Sequence, residues 1–197
     1  MYIAMAFRFL PTVLFLLLIA SPSYAFNIGD TLPVTQVPEP GELILQDNAV
    51  VYRPWNSEQI TAGSPALIFH MAARLSSEQI IAPLKAALEA ADFAEGSFQS
   101  VSVVNLNDAL WGTRGLVLSK LGENKREHPE ASLIADKTGA VRQDWQLSGE
   151  GVAVILVSAE GNISYFQEGG ISEQEVTAIM SALNTEIERS TGSSAAE

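Results

Sequence analysis

Residues 66–84 read ALIFHMAARLSSEQIIAPL, and the change of rhythm inside this stretch decides the class of the fold. Ala66 to Met71 is an unbroken apolar run of strand length, as a strand covered on both faces requires. The period then lengthens, and Ile80, Ile81, Leu84, Leu88 and Ala91 fall on one face of a helix. Ser76, with Gln79 three residues on, has capping-box spacing and predicts the helix start. Pro83 removes a backbone hydrogen bond inside that helix and should bend its axis.

Downstream, Ser100 to Leu106 (SVSVVNL) reads as a second strand and Gly115 to Lys125 as a second helix, entered through the turn-like Trp111-Gly112-Thr113. Leu133-Ile134-Ala135 enters the turn Asp136-Lys137-Thr138-Gly139, and Val152 to Val157 enters Ser158-Ala159-Glu160-Gly161. The glycine ending each turn suits the left-handed backbone that hairpins need. Ile163 to Phe166 returns as a strand. The last helix is capped by Ser172 with Glu175 and buries Val176, Ile179, Met180, Leu183 and Ile187. Upstream, Leu43-Ile44-Leu45 and Val50-Val51-Tyr52 form a hairpin across Gln46 to Ala49, behind an extended, Pro- and Gly-rich lead-in from Phe26 to Gly41. Strands joined through helices are parallel with right-handed crossovers, and hairpin strands are antiparallel. The expected fold class is therefore α/β: a mixed central β-sheet with helices on both faces, in three layers, with an N-terminal β-hairpin extension. Residues 26–189 make one domain and residues 190–197 a disordered tail.

Residues 1–25 read as an address. Arg8 precedes an apolar run from Phe9 to Ala20 and a stretch ending Ser23-Tyr24-Ala25, the pattern of a secretory signal peptide cleaved after Ala25. A spanning helix needs about 20 apolar residues, and Pro11 and Pro22 bracket a shorter run. The expected location is periplasmic, with no stable membrane anchor after cleavage. The chain holds 11 Lys+Arg against 23 Asp+Glu, a net charge of −12. That excess repels phosphate backbones and anionic headgroups and argues against nucleic acid as a partner. There is no cysteine, which excludes disulfides, thiolate-ligated metals, a thiol nucleophile and thiol–disulfide exchange.

The element order is the thioredoxin arrangement, and Glu78 to Leu84 (EQIIAPL) resembles the thioredoxin helix that starts at the redox motif and is kinked by an internal proline. The two cysteine places then fall on Leu75 and Glu78, and the place of the cis-proline falls near Val152. Gly41-Glu42-Leu43, Tyr52 with Trp55-Asn56-Ser57, His70 to Arg74, Val104-Asn105 with Asp108-Ala109, Asn124-Lys125 with Pro129, and Asp144-Trp145-Gln146-Leu147 together resemble the YtfJ family of exported proteins of Gram-negative bacteria. The resemblance implies a thioredoxin-like fold without the cysteine pair and no established activity. Asn107 and Glu130 depart from it, where a second acidic residue and an aromatic are expected.

His70 ends the first core strand, where an imidazole can serve as acid, base or metal ligand, although the favoured reading is a packed residue satisfied by one hydrogen bond. Arg74 offers a planar fork for an anion or braces a loop against Asp108. Asn105 and Asp108 follow the second core strand, at the end of an open α/β sheet where ligands bind, although Asn and Asp also form turns there. These four residues, His70, Arg74, Asn105 and Asp108, are the candidate ligand- or partner-binding surface. Trp55 is a recognition aromatic or closes the core. His128 lies far from His70 in sequence, and the spacing suggests no metal site. No Gly-x-Ser-x-Gly, phosphate loop or dinucleotide fingerprint occurs, and no cofactor or catalytic residue is assigned. The reading favours a non-redox protein that binds a protein or small ligand over the alternative, a hydrolytic enzyme using His70 and Asp108.

Overall fold

The structure, a computed structural model, describes residues 26–194 apart from 61 and 150. The expected signal peptide, its cleavage after Ala25 and the last three tail residues lie outside the described residues. The elements are β1 (Gln36–Gln46), β2 (Ala49–Asn56), β3 (Ala66–Ala72), α1 (Leu75–Ala91), β4 (Gln99–Asn105), α2 (Arg114–Glu127), β5 (Ser132–Asp136), α3 (Ala140–Asp144), β6 (Val152–Val157), β7 (Ile163–Glu168) and α4 (Glu173–Ser194). The strands form one sheet in the order β2-β1-β5-β4-β3-β6-β7. β3, β4 and β5 are mutually parallel, joined through α1 and α2; every other pairing is antiparallel.

β3 lies near the middle of the sheet and is buried almost throughout, as its unbroken apolar run requires. Its side chains alternate. Ala66 and Ile68 pack with Val101, Val103, Ile134, Val141 of α3 and Trp145 just after it on one face. Leu67 and Phe69 pack against Ile81 and Leu84 of α1 and Ile179 and Leu183 of α4 on the other. That second face continues over Val104, Leu133 and Ala135 to Leu121 of α2. Two right-handed crossovers in the same direction put α1 and α2 on one side; the short α3 and the lead-in cover the opposite side. Phe26 closes that side, with its ring edge-on to Trp145 and Phe166.

The β1–β2 hairpin turns on Asp47 and Asn48, both at positive φ (49° and 66°), the two-residue geometry those side chains tolerate. A bulge follows where Gly41 and Glu42 share Arg53 as partner. Gly41 sits at φ 57°, and a Cβ there would run into the Arg53 carbonyl oxygen.

Several expectations need correction. β1 begins at Gln36, inside what reads as an irregular lead-in. α1 starts at Leu75, so Ser76 lies in its first turn and does not cap it; β3 ends in a tight turn in which Ala73 donates to the Asn105 carbonyl and Arg74 to that of Ala72, which starts the helix early. The turn Asp136 to Gly139 leads into α3, not a returning strand. β1 and β4 already flank β5 on both sides, so no strand can add beside it. The second glycine turn is a true hairpin between β6 and β7. α4 runs to Ser194, past Arg189 where the tail was expected to begin. Its start agrees: Ser172 and Glu175 make the reciprocal capping pair.

Candidate functional site

The carboxyl ends of β3, β4 and β5 lie at one edge, where the parallel register pairs Ala72 with Asn105 and Asn105 with Asp136. By alternation His70, Asn105 and Asp136 point to the α3 face. Asn105 is fully buried; its side-chain Nδ2 donates to the Asp108 carboxylate (2.7 Å) and its Oδ1 accepts from the Asn107 backbone N–H (3.0 Å). Asp136, also fully buried, accepts from the backbone N–H groups of Thr138, Gly139 and Val141 and from the Thr138 hydroxyl, at 2.8 to 3.0 Å. This carboxylate starts α3, because a short helix with no other N-terminal acceptor needs one for its orphan donors.

His70 is buried in the same layer, and its Nε2 has no hydrogen-bond partner. Burial lowers its pKa to about 4, against the pull of the Asp136 and Asp108 carboxylates, with Arg142 adding to the lowering. The imidazole is therefore neutral at pH 7. Arg74 extends from the β3–α1 turn, and its Nε donates to the Asp108 carbonyl at 3.1 Å. The four sequence candidates thus fall in one region joined by Asn105–Asp108 and Arg74–Asp108 contacts, but they do not share one surface.

The concavity at this edge lies on the opposite face, between the first turns of α1 and the length of α2. It has a volume of about 290 Å³, and Arg74 is the only one of the four that lines it. Met71, Ile81, Val104, Val117 and Leu121 form its floor and walls. Leu75, Leu110 and Leu116 stand at its mouth, 70%, 60% and 74% exposed, and Trp111, next to Leu110, is wholly exposed. Exposed large apolar side chains gathered around a cleft mark an interaction site more strongly than any one of them alone. Lys120 on α2 reaches across to Glu78 on α1 at 2.7 Å, and Lys85 stands one helical turn beyond Ile81. Ser77, in the first turn of α1, borders the cleft; its hydroxyl is buried and has no hydrogen-bond partner.

Sequence reasoning missed Ser77, Lys85, Leu116 and Lys120. A signal was present in Leu75 and Glu78 as the two thiol places, since both line this cleft. Trp55-Asn56-Ser57 is structural: Trp55 is buried, Asn56 caps a short turn, and the Ser57 hydroxyl donates to the Pro33 carbonyl. Among the described residues no group of three or more His, Asp or Glu is placed to hold a metal, and no helix is long and apolar enough to cross a membrane.

Residues 26–186 match the family model described as "Bacterial protein of unknown function (YtfJ_HI0045)". The uncharacterized protein YtfJ of Escherichia coli (strain K12) is 31% identical over 172 residues, covering 87% of this chain and 92% of that protein. Among solved structures, a putative thiol:disulfide interchange protein DsbE from Chlorobium tepidum superposes with a TM-score of 0.56 at 18% identity, over 82% of this chain and 98% of that one. The thioredoxin domain of a thiol-disulfide oxidoreductase from Bacteroides vulgatus gives 0.51 at 14% identity, over 80% and 99%. At these identities the likeness is one of fold: the frame is thioredoxin-like and carries no cysteine.

Proposed function

We propose that this chain, which belongs to the YtfJ family of bacterial proteins of unknown function, is an exported, periplasmic binding protein whose small ligand sits in the cleft between α1 and α2. The observation that carries the reading is the cleft itself: an apolar hollow of about 290 Å³ at the β3–α1 junction, with Leu75 and Glu78 on its lining. Neither side chain forms a thiolate, so the place offers contact area without exchange chemistry. Arg74 supplies the polar anchor from the sequence-derived cluster, while Asn105 and Asp108 hold the turn from which it projects. Export is supported by the pattern of residues 1–25.

Acid–base catalysis by His70 with Asp108 has little to support it. The His70 ring is 3% exposed and faces away from the cleft, and catalysis requires reach to the reacting group.

Native mass spectrometry of the protein released by osmotic shock tests the reading. The expected species is a chain beginning at Phe26 with a bound small-molecule adduct that is lost in Val117→Trp, which fills the cleft, and in Leu116→Glu, a surface change that charges its mouth. Retention in the cytoplasm rejects export. A bare protein mass, or an adduct kept by both variants, rejects the cleft as the ligand site.

A further inference from the structure

The cleft between α1 and α2 is walled along its length by aliphatic side chains: Met71 from β3, Ile81 from α1, Val104 from β4, and Val117 and Leu121 from α2. No aromatic ring occurs among the described residues that line it. Leu75, Leu110 and Leu116 carry the same kind of surface outward past the mouth, where each is more than half exposed. Large aliphatic side chains held in water around an aliphatic hollow mark a surface that a ligand covers.

The charged groups on the lining narrow the class of that ligand. Both carboxylate oxygens of Glu78 accept from Lys120, at 2.7 and 3.0 Å. Arg74 is engaged as well, with its Nε on the Asp108 carbonyl. In the first turn of α1, the Ser77 N–H is already bonded to the Arg74 carbonyl. Lys85, the remaining charged side chain among the described lining residues, is exposed to water. A charged group drawn into the cleft would lose its hydration and have to compete with partners already in place. An uncharged chain displaces only water from the walls. A second copy of the chain fits less well, since two molecules of net charge −12 repel. The hollow of about 290 Å³, at about 30 Å³ per water-sized group, holds on the order of ten non-hydrogen atoms.

Resting on the binding reading above, we propose that the ligand is a single aliphatic chain with an uncharged head, the chain along Met71, Ile81, Val117 and Leu121 and the head at the mouth beside Arg74. The walls bury the methylenes, and the leucines at the mouth cover those next to the head.

Isothermal titration calorimetry of the mature protein with n-hexanol, n-octanol, n-decanol, octanoate and octylammonium tests it. The alcohols should saturate one site, with affinity rising about fourfold for each added methylene. Octanoate and octylammonium should bind no more tightly than n-octanol, and added salt should leave n-octanol unchanged. Leu116→Glu, a surface change that puts a charge at the mouth, should weaken n-decanol by about tenfold or more. An octanoate or octylammonium affinity about tenfold above that of n-octanol, lost in Leu116→Glu, overturns the uncharged head and leaves the cleft reading standing. Affinities that do not change with chain length overturn the aliphatic chain. Alcohol binding that persists unchanged in both Leu116→Glu and Val117→Trp places the site elsewhere and overturns the proposal, as does the absence of binding by any alcohol; the adduct seen by native mass spectrometry decides the cleft reading separately.

Discussion

On the α3 face, the ends of β3, β4 and β5 close over a layer in which Asn105 and Asp136 are fully buried and hydrogen-bonded. On the α1 and α2 face, the same strand ends border an open apolar cleft; the Ser77 hydroxyl beside it is buried and unpaired. Neighbouring residues on one strand serve the two sides: Met71 lines the cleft and His70 joins the sealed layer. The difference teaches that ionisable residues at a strand end are not by themselves a site. The sealed side is rich in polar groups, and its Asn105 and Asp136 side chains hold its own loops while the His70 Nε2 stays unpaired; the open side is walled mainly by apolar side chains, with Lys120 and Glu78 paired across its rim.

That contrast breaks most sharply at Asp136. Asp136→Ala removes four hydrogen bonds to a buried carboxylate and should cost about 4 kcal/mol, since charge-assisted bonds and the orphaned donors both count. Urea denaturation reads this as a lower midpoint with an unchanged slope. A loss below about 1 kcal/mol would mean the layer is not the stabilising feature described here.

His70 comes next. Its folded pKa, about 4, lies below the unfolded value of 6.5, so between those values the unfolded chain binds the proton more readily. Stability is therefore full above pH 6.5 and falls as pH drops toward 4, by up to about 3 kcal/mol. Other carboxylates also titrate toward acid, so the measurement is the difference between wild type and His70→Gln, whose stability should fall less across that window. Parallel curves would show that the imidazole is not held neutral by burial.

The smallest effects belong to the cleft. Leu75→Ser and Leu116→Ser change side chains 70% and 74% exposed and should shift stability by no more than about 0.5 kcal/mol. Lys120→Gln breaks an exposed pair with Glu78 worth at most about 1 kcal/mol. Substantial destabilisation in any of the three would recast the cleft as packing rather than binding surface.

Much of the fold was legible because its decisive segments are locally consistent. The run from Ala66 to Met71, the helical stripe through Ile81 and Leu84, and the Ser172–Glu175 cap each carry their conformation in a few neighbouring residues. The motifs behind the family resemblance turn out mostly to hold the frame. Gly41 makes a bulge against Arg53, Lys125 ties down the Pro129 and Ala131 carbonyls, and the Trp145 indole donates to the Pro33 carbonyl of the lead-in on the same side of the sheet. Ser76 misled because its spacing is right for a cap, yet the turn anchored by Ala73 on Asn105 sets the helix start. The turn at Asp136 misled for a long-range reason: whether a strand returns depends on an empty edge beside β5, and β1 comes from far up the chain to occupy it.

For the candidate site, sequence alone placed His70, Arg74, Asn105 and Asp108 at adjoining strand ends, because parallel pairing of consecutive core strands brings their carboxyl ends together. It also determined that this thioredoxin-like frame has no thiol, and that Leu75 and Glu78 stand in the thiol places. What tertiary structure alone decided is which face each residue serves. A strand turns successive side chains to opposite sides, and the identity of the covering layer, α3 over His70 or the gap between α1 and α2 beside Met71, is set by crossovers and by helix spacing across long stretches of chain. Buried depth and open cleft are properties of that packing, and no local pattern in residues 66–84 encodes them.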